Sequence, residues 1–200
     1  MRTKDEKLHE RRKAEILEAA KACFSEKGIR QTTMQEICKR AAISPGALYR
    51  YFASKEEIIG AIAAAETAAS EELIAYLAGQ KNIVKGLVAA LPEIVEELSN
   101  PALAALTLEI VSEAARNPDV AKPFLAGETD FKRKLAELLK QGQASGRVEK
   151  TLDADAFADL FSNLLDSIAA SYAFPNALSP ERAEKTLAHV LKRSLTPRTR

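Results

Sequence analysis

TMQEICKRAAISPGALYRYFASK, residues 33–55, is the stretch on which the fold turns. It spells a short helix, a tight turn and a second short helix. Thr33 is placed to cap the first helix. Glu36, three residues on, completes a capping box, in which the two residues satisfy each other's orphan backbone N–H groups. Ile37 and Ala41 face a core, and Ala42 and Ile43 make the turn. Ser44 caps the second helix, with Pro45 at its first position, where a missing N–H removes no bond. Leu48 and Phe52 stand four apart and share the inward face. Tyr49, Arg50 and Tyr51 are left to point outward. A helix-turn-helix that lays its second helix in a DNA major groove has this layout.

The segment ISPGALYRYFASKEEI, residues 43–58, resembles the DNA-binding signature of the TetR/AcrR family of bacterial repressors. Members read as apolar–Ser–x–Gly–x–Leu–Tyr–x–(His or Tyr)–Phe–x–(Ser or Asn)–Lys–Glu. The match covers about the first 60 residues; the remainder resembles the family only in being helical. Three positions depart from the pattern. Ala42 stands where Gly is usual, and a left-handed Ala costs roughly 1 kcal/mol. Cys38 stands where a small Ala is common. Ala47 stands where Thr or Ser is common, which removes a hydroxyl from the base-reading surface.

The resemblance implies an all-α protein with a three-helix head, residues 1–54. A long helix joins the head to an effector-binding and dimerisation body, residues 55–200. It implies a ligand-responsive homodimeric regulator, a repressor that binds a palindromic double-stranded operator and releases it on binding a small molecule. Affinity for such DNA comes mostly from phosphates and specificity from base edges. Thr33 offers its hydroxyl and backbone N–H to a phosphate, and Ser44 sits at the next helix start. Tyr49 and Tyr51 carry hydroxyls that reach phosphate, and Lys55 adds a charge. Gly46 permits close approach to the bases. Pro45, Ala47 and Arg50 are placed to touch base edges, Arg50 by reading a guanine through two hydrogen bonds.

Composition agrees with a helical, soluble chain. Of 200 residues, 46% are hydrophobic and 28% charged, with eight Gly, eight Pro and no Trp. The net charge is only +1, but residues 1–60 hold 13 basic and 9 acidic side chains, a net of +4, and the rest carry −3. A basic head on an acidic body suits a phosphate partner at one end. Cys23 and Cys38 are too few and too far apart for a zinc ribbon or a CxxC site, and both read as buried core residues. The charged N-terminus lacks a signal segment and no apolar run approaches a membrane span, so a cytoplasmic protein is expected.

Outward from the motif, residues 1–7 read as a frayed end. Lys4, Lys7, Arg11, Arg12 and Lys13 form a possible phosphate-touching arm. Ile16, Leu17, Ala20, Cys23 and Phe24 recur at helical spacing, and Gly28 closes that helix. Ser54 with Glu57 spells a second capping box, which opens a long helix ending near Gly79. Further helices are expected over 82–98, with a kink at Pro92, over 101–116, over 118–145, with a bend near Pro123, over 153–174 and over 180–195.

The last two helices carry a broad apolar surface. Phe161, Leu164 and Ile168 on one, with Leu187, Val190 and Leu191 on the other, are the candidate dimer interface; completing one subunit's own core is the alternative use. Glu109, Ser112, Asn163, Asp166 and Tyr172 are polar groups among apolar positions and the candidate effector contacts. A rival reading as an all-α enzyme finds only His9 and His189, with no HExxH, no Gly-rich phosphate loop and no nucleophile elbow. No catalytic residue, metal or cofactor is therefore assigned. A DNA-binding regulator without an effector is the second rival; residues 55–200 are a large body for one.

Overall fold

The computed structural model describes residues 2–197, with side chains from residue 6 onward. The described residues form nine helices and no strand, as the all-α expectation requires. They are α1 (Arg2–Lys27), α2 (Met34–Arg40), α3 (Pro45–Leu48), α4 (Lys55–Ala78), α5 (Ile83–Leu98), α6 (Pro101–Ala114), α7 (Pro118–Ala144), α8 (Ala154–Ser171) and α9 (Pro180–Leu195).

Local chemistry sets most of the boundaries. Asn82 accepts a hydrogen bond from Lys85 N at the start of α5, and Asp153 accepts from Asp155 N and Ala156 N at the start of α8. Gly28 and Gly146 take φ of +86° and +70° just past α1 and α7, the left-handed stop that glycine adopts without strain. Ser179 stands at the cap position of α9 but makes no side-chain cap bond. Glu57 N donates to Ser54 Oγ at 3.3 Å, while the Glu57 carboxylate reaches one residue further back than a capping box requires, to Ala53 N at 2.6 Å. Helix α1 is already formed at Arg2, where fraying was expected. The Lys4 side chain lies outside the described residues. Helices α5 and α7 continue on both sides of Pro92 and Pro123.

The chain divides into two compact units. The first comprises the residues up to Ala65 together with Ala105–Phe124. Ile16, Ala20 and Phe24 of α1, Ile37 of α2, Leu48 and Phe52, Ile58 and Ile62 of α4, and Leu106 and Ile110 of α6 share its core. Each fully buried Ile, Leu or Phe side chain stabilises by roughly 1.5–3 kcal/mol. A boundary between residues 54 and 55 therefore cuts across this unit, because the first turns of α4 and much of α6 turn apolar faces to the same core as Phe52.

The second unit comprises Glu66–Ala104 and the residues from Leu125 on. Its core joins Leu77, Leu87, Leu91, Leu135, Leu139, Phe161, Leu187, Leu191 and Leu195. The expected dimer residues separate here. Phe161, Leu187 and Leu191 are buried within this unit, and Ile168 packs half-buried against it. Leu164 and Val190 remain 40% and 42% exposed, and Leu160 beside them is 69% exposed. The apolar arc of α8 is wide enough to have two flanks, and only one of them is used inside the unit.

Candidate functional site

The helix-turn-helix is built as its caps dictate. Glu36 N donates to Thr33 Oγ1 at 3.3 Å, and Thr33 N donates to Glu36 Oε2 at 2.9 Å. Lys27 Nζ adds an ion pair to Glu36 at 2.6 Å. These contacts, the Lys27 bond first, hold the Glu36 carboxyl down at about 2, against 4.5 ordinarily. Helix α2 ends in a Schellman turn: Ile43 N donates to Cys38 O at 3.0 Å and Ala42 N to Lys39 O at 3.3 Å. That turn puts Ala42 at φ 52°, the position for which glycine is favoured.

Ser44 Oγ accepts from Ala47 N at 3.2 Å, and Pro45 opens α3. The run then tightens to three-residue bonds, Arg50 N to Ala47 O and Tyr51 N to Leu48 O. Leu48 and Phe52 are buried behind it, as expected from their spacing. In front, Pro45, Gly46, Tyr49 and Arg50 are exposed and Ala47 is half-buried. A Cβ on Gly46 would meet nothing within 4 Å, so a flat surface could come against this turn.

The segment between α1 and α2 is held from two other helices. Lys55 Nζ of α4 donates to the carbonyls of Ile29 (2.6 Å), Thr32 (3.1 Å) and Arg30 (3.4 Å). From α6, Glu109 Oε2 accepts from Ile29 N at 3.3 Å, and the buried Glu113 pairs with Arg30 Nε at 2.8 Å. Thr32 is buried, with both Gly28 O (2.9 Å) and Cys23 O (3.1 Å) within reach of its single hydroxyl donor.

Three of the candidate DNA contacts, Thr33, Lys55 and Tyr51, are also engaged within the protein. The hydroxyl and the backbone N–H of Thr33, both offered to phosphate, are donated to Glu36, which sets a carboxylate where the anion would have to come. The three ammonium donors of Lys55 all meet carbonyls, so its charge braces the approach to α2. Tyr51, expected outside, is half-buried with its ring stacked on His9 of α1, a residue that the sequence reading left out of the site. No short-range pattern ties residue 9 to residue 51.

Many basic side chains of this unit are neutralised at short range. Arg40 makes a two-pronged pair with Glu26, Lys21 pairs with Glu18, and Arg11 and Arg12 share Glu15. Among the described residues, Arg50 is in none of the unit's ion pairs. Cys23 and Cys38 are both buried, as expected, and burial pushes the Cys38 thiol up, away from the reactive thiolate.

The five candidate effector residues are shared between the two units. Glu109 and Ser112 lie in the first unit, Glu109 on Ile29 and Ser112 bonded to Arg116. Asn163 and Asp166 are exposed residues of the second unit. The Asp166 carboxyl is nonetheless crowded by protein, which with nearby Glu128 pushes its pKa up against the pull of Lys132. The Tyr172 hydroxyl is buried and finds no hydrogen-bond partner among the described groups. A separate shallow surface crease, with no enclosed volume, runs between α4 and α7 and is lined by Thr67, Ser70, Ile74, Gly127 and Phe131.

A family model described as bacterial regulatory proteins, tetR family, matches residues 16–62, and one described as BetI-type transcriptional repressor, C-terminal, matches residues 85–196. The HTH-type transcriptional regulator UidR of Escherichia coli K12 is 31% identical over 159 residues, 78% of each chain. Among solved structures, Salmonella enterica GusR superposes with a TM-score of 0.76 at 29% identity, over 92% of this chain and 95% of its own. A transcriptional regulator from Saccharomonospora viridis in complex with choline shares the fold, with a TM-score of 0.74 at 19% identity over 93% and 98%. No helix among the described residues is long and apolar enough to cross a membrane. With matched models over both its helix-turn-helix and its helical body, the chain belongs to the TetR family of bacterial regulatory proteins.

Proposed function

We propose that this protein is a homodimeric repressor that binds a palindromic operator through Pro45, Gly46, Ala47, Tyr49, Arg50 and Tyr51, and releases it when a small molecule enters the helical body. One observation supports the DNA-reading role above others. The turn formed by Pro45–Arg50 offers backbone, a phenol and an exposed guanidinium, while Leu48 and Phe52 anchor its other side in the core. Ser44 acts as the cap that starts this turn. Thr33 and Lys55 serve the interface by shaping the head, and a phosphate reaches Thr33 only by displacing Glu36.

The dimer is proposed to form on the exposed flank of α8 with α9, through Leu160, Leu164 and Val190. One recognition turn buries too little surface for selective binding, so two heads must be held at a fixed spacing. For the effector, Asp166 and Tyr172 remain the proposed contacts. A buried hydroxyl without a partner costs about 1–3 kcal/mol, which a ligand acceptor would recover.

The test is the base preference of Arg50→Ala. The variant should lose roughly 1–3 kcal/mol at one or two base pairs of the preferred duplex. A uniform loss over all sequences would place Arg50 on the DNA backbone, and no loss would remove it from the interface. Thermal shifts with candidate small molecules then separate a ligand-responsive regulator from one without an effector.

A further inference from the structure

The reading of Tyr51 as a DNA contact leaves its orientation unexplained. Tyr51 follows the four-residue helix α3, and its backbone is held only by short turn bonds. A tyrosine there has little local structure to fix its ring. The fixing element is on another helix. The rings of His9 and Tyr51 lie with centroids 4.7 Å apart and an interplanar angle of 26°, a stacked pair.

The position of His9 on α1 shows why it is available. His9, Lys13, Ile16 and Ala20 follow one another at helical spacing along one ridge. Ile16 and Ala20 are buried, Lys13 is half-buried and His9 is exposed. The ridge therefore climbs out of the core toward solvent, and His9 caps its wet end. Tyr51 also packs its ring against the core cluster that contains Ile16. Its ring is thus held between an apolar floor and an imidazole.

We propose that His9 is a positioning residue for DNA binding: its ring holds Tyr51 in one orientation, so that the phenol hydroxyl is already directed when the operator arrives. The physical basis is preorganisation. Ordering a side chain at an interface weakens binding, and a contact that orders it beforehand removes that loss from the binding step. A stacked aromatic pair has the strength for this, and it needs neither a charge on the imidazole nor contact between His9 and DNA. The first turns of α1, outside the helix-turn-helix, thereby help to set operator affinity.

The probe is the duplex that the wild-type protein enriches from a random library, with binding followed by fluorescence anisotropy well below the melting temperature. Under those conditions a residue that only stabilises the head leaves Kd unmoved. His9→Ala should weaken binding by roughly three- to tenfold for each engaged head, the ordering of one side chain. The slope of log K against log salt should stay as in wild type, because no phosphate contact is lost. His9→Phe, which keeps a stacking ring, should restore affinity to near wild type. In a Tyr51→Ala background, His9→Ala should change nothing further.

Three outcomes overturn the proposal: an unchanged Kd for His9→Ala, a His9→Phe variant as weak as His9→Ala, or a reduced salt slope, which would make His9 itself a phosphate contact. Tyr51→Ala alone tests the reading beneath it. If Tyr51→Ala weakens binding while His9→Ala does not, Tyr51 is a contact and the brace is wrong. If Tyr51→Ala binds as wild type, Tyr51 is not a contact, and any effect of His9→Ala arises elsewhere.

Discussion

The ammonium of Lys55 donates to the carbonyl of Ile29 at 2.6 Å. This bond ties the first turn of α4 to the connection that leads into α2. It gives the lysine of the signature a structural task in bracing the entry to α2.

Lys55→Met keeps the aliphatic stem and removes the donors. Loss of a charged donor from carbonyls costs roughly 1.5–3 kcal/mol. Chemical denaturation should show that loss in the midpoint. Operator affinity should fall through the altered α1–α2 connection, with the salt slope unchanged. A slope smaller by about 1 per head, with stability intact, would return Lys55 to the phosphates.

Ala42 at φ 52° predicts a stabilising substitution. Ala42→Gly relieves a left-handed penalty of roughly 1–2 kcal/mol, offset in part by the larger entropy of an unfolded glycine. A net gain of about 0.5–1 kcal/mol should raise the urea midpoint without changing the m-value. A lower midpoint would mean that the turn carries no strain.

Glu36 predicts an acid dependence. Its carboxyl is held at about 2 in the folded protein, below the ordinary 4.5, first by the bond from Lys27. A group depressed on folding stabilises the native state above its unfolded pKa, and that contribution disappears as pH falls through the folded value. Melting temperature should therefore drop between pH 4.5 and about 2. Glu36→Gln should melt below wild type at pH 6 and converge with it near the acid end. A gap that stays constant with pH would mean that Glu36 acts through packing alone.

Leu164 and Leu187 should respond differently to the same charge. Leu187 is buried, so Leu187→Glu should prevent folding, at a loss of more than about 4 kcal/mol. Leu164 is exposed in the single subunit, so Leu164→Glu should stay folded, sediment as a monomer and lose tight operator binding. A folded Leu164→Glu dimer would place the interface elsewhere.

The head was legible where chemistry is local. Thr33 with Glu36, Ser44 with Pro45, and Leu48 with Phe52 each act across four residues or fewer, and each side chain stands where its spacing places it. The long-range pairings were not legible. Nothing near Lys55 in sequence marks Ile29 as its partner, and nothing near His9 marks Tyr51. Glu109 showed as a polar residue among apolar ones, but sequence carries no sign that its acceptor role is met by the backbone of Ile29. The apolar pattern of α8 and α9 is broader than the face that the unit's own core covers, which leaves Leu160, Leu164 and Val190 exposed. Periodicity measures how much of a helix is apolar, but not which flank a neighbour inside the same subunit covers, so Phe161, Leu187 and Leu191 went to the core.

The central claim, sequence-selective recognition of DNA by two copies of this head, is tested most directly by competition binding. Purified protein is titrated onto a duplex spanning the DNA that flanks its own gene, at physiological salt, against a scrambled duplex of the same length and composition. Preference for the flanking DNA by at least about 10³ in Kd, with two protomers per half-site pair, is the expected result. Equal affinity for both duplexes, or saturation by a single protomer, would contradict it.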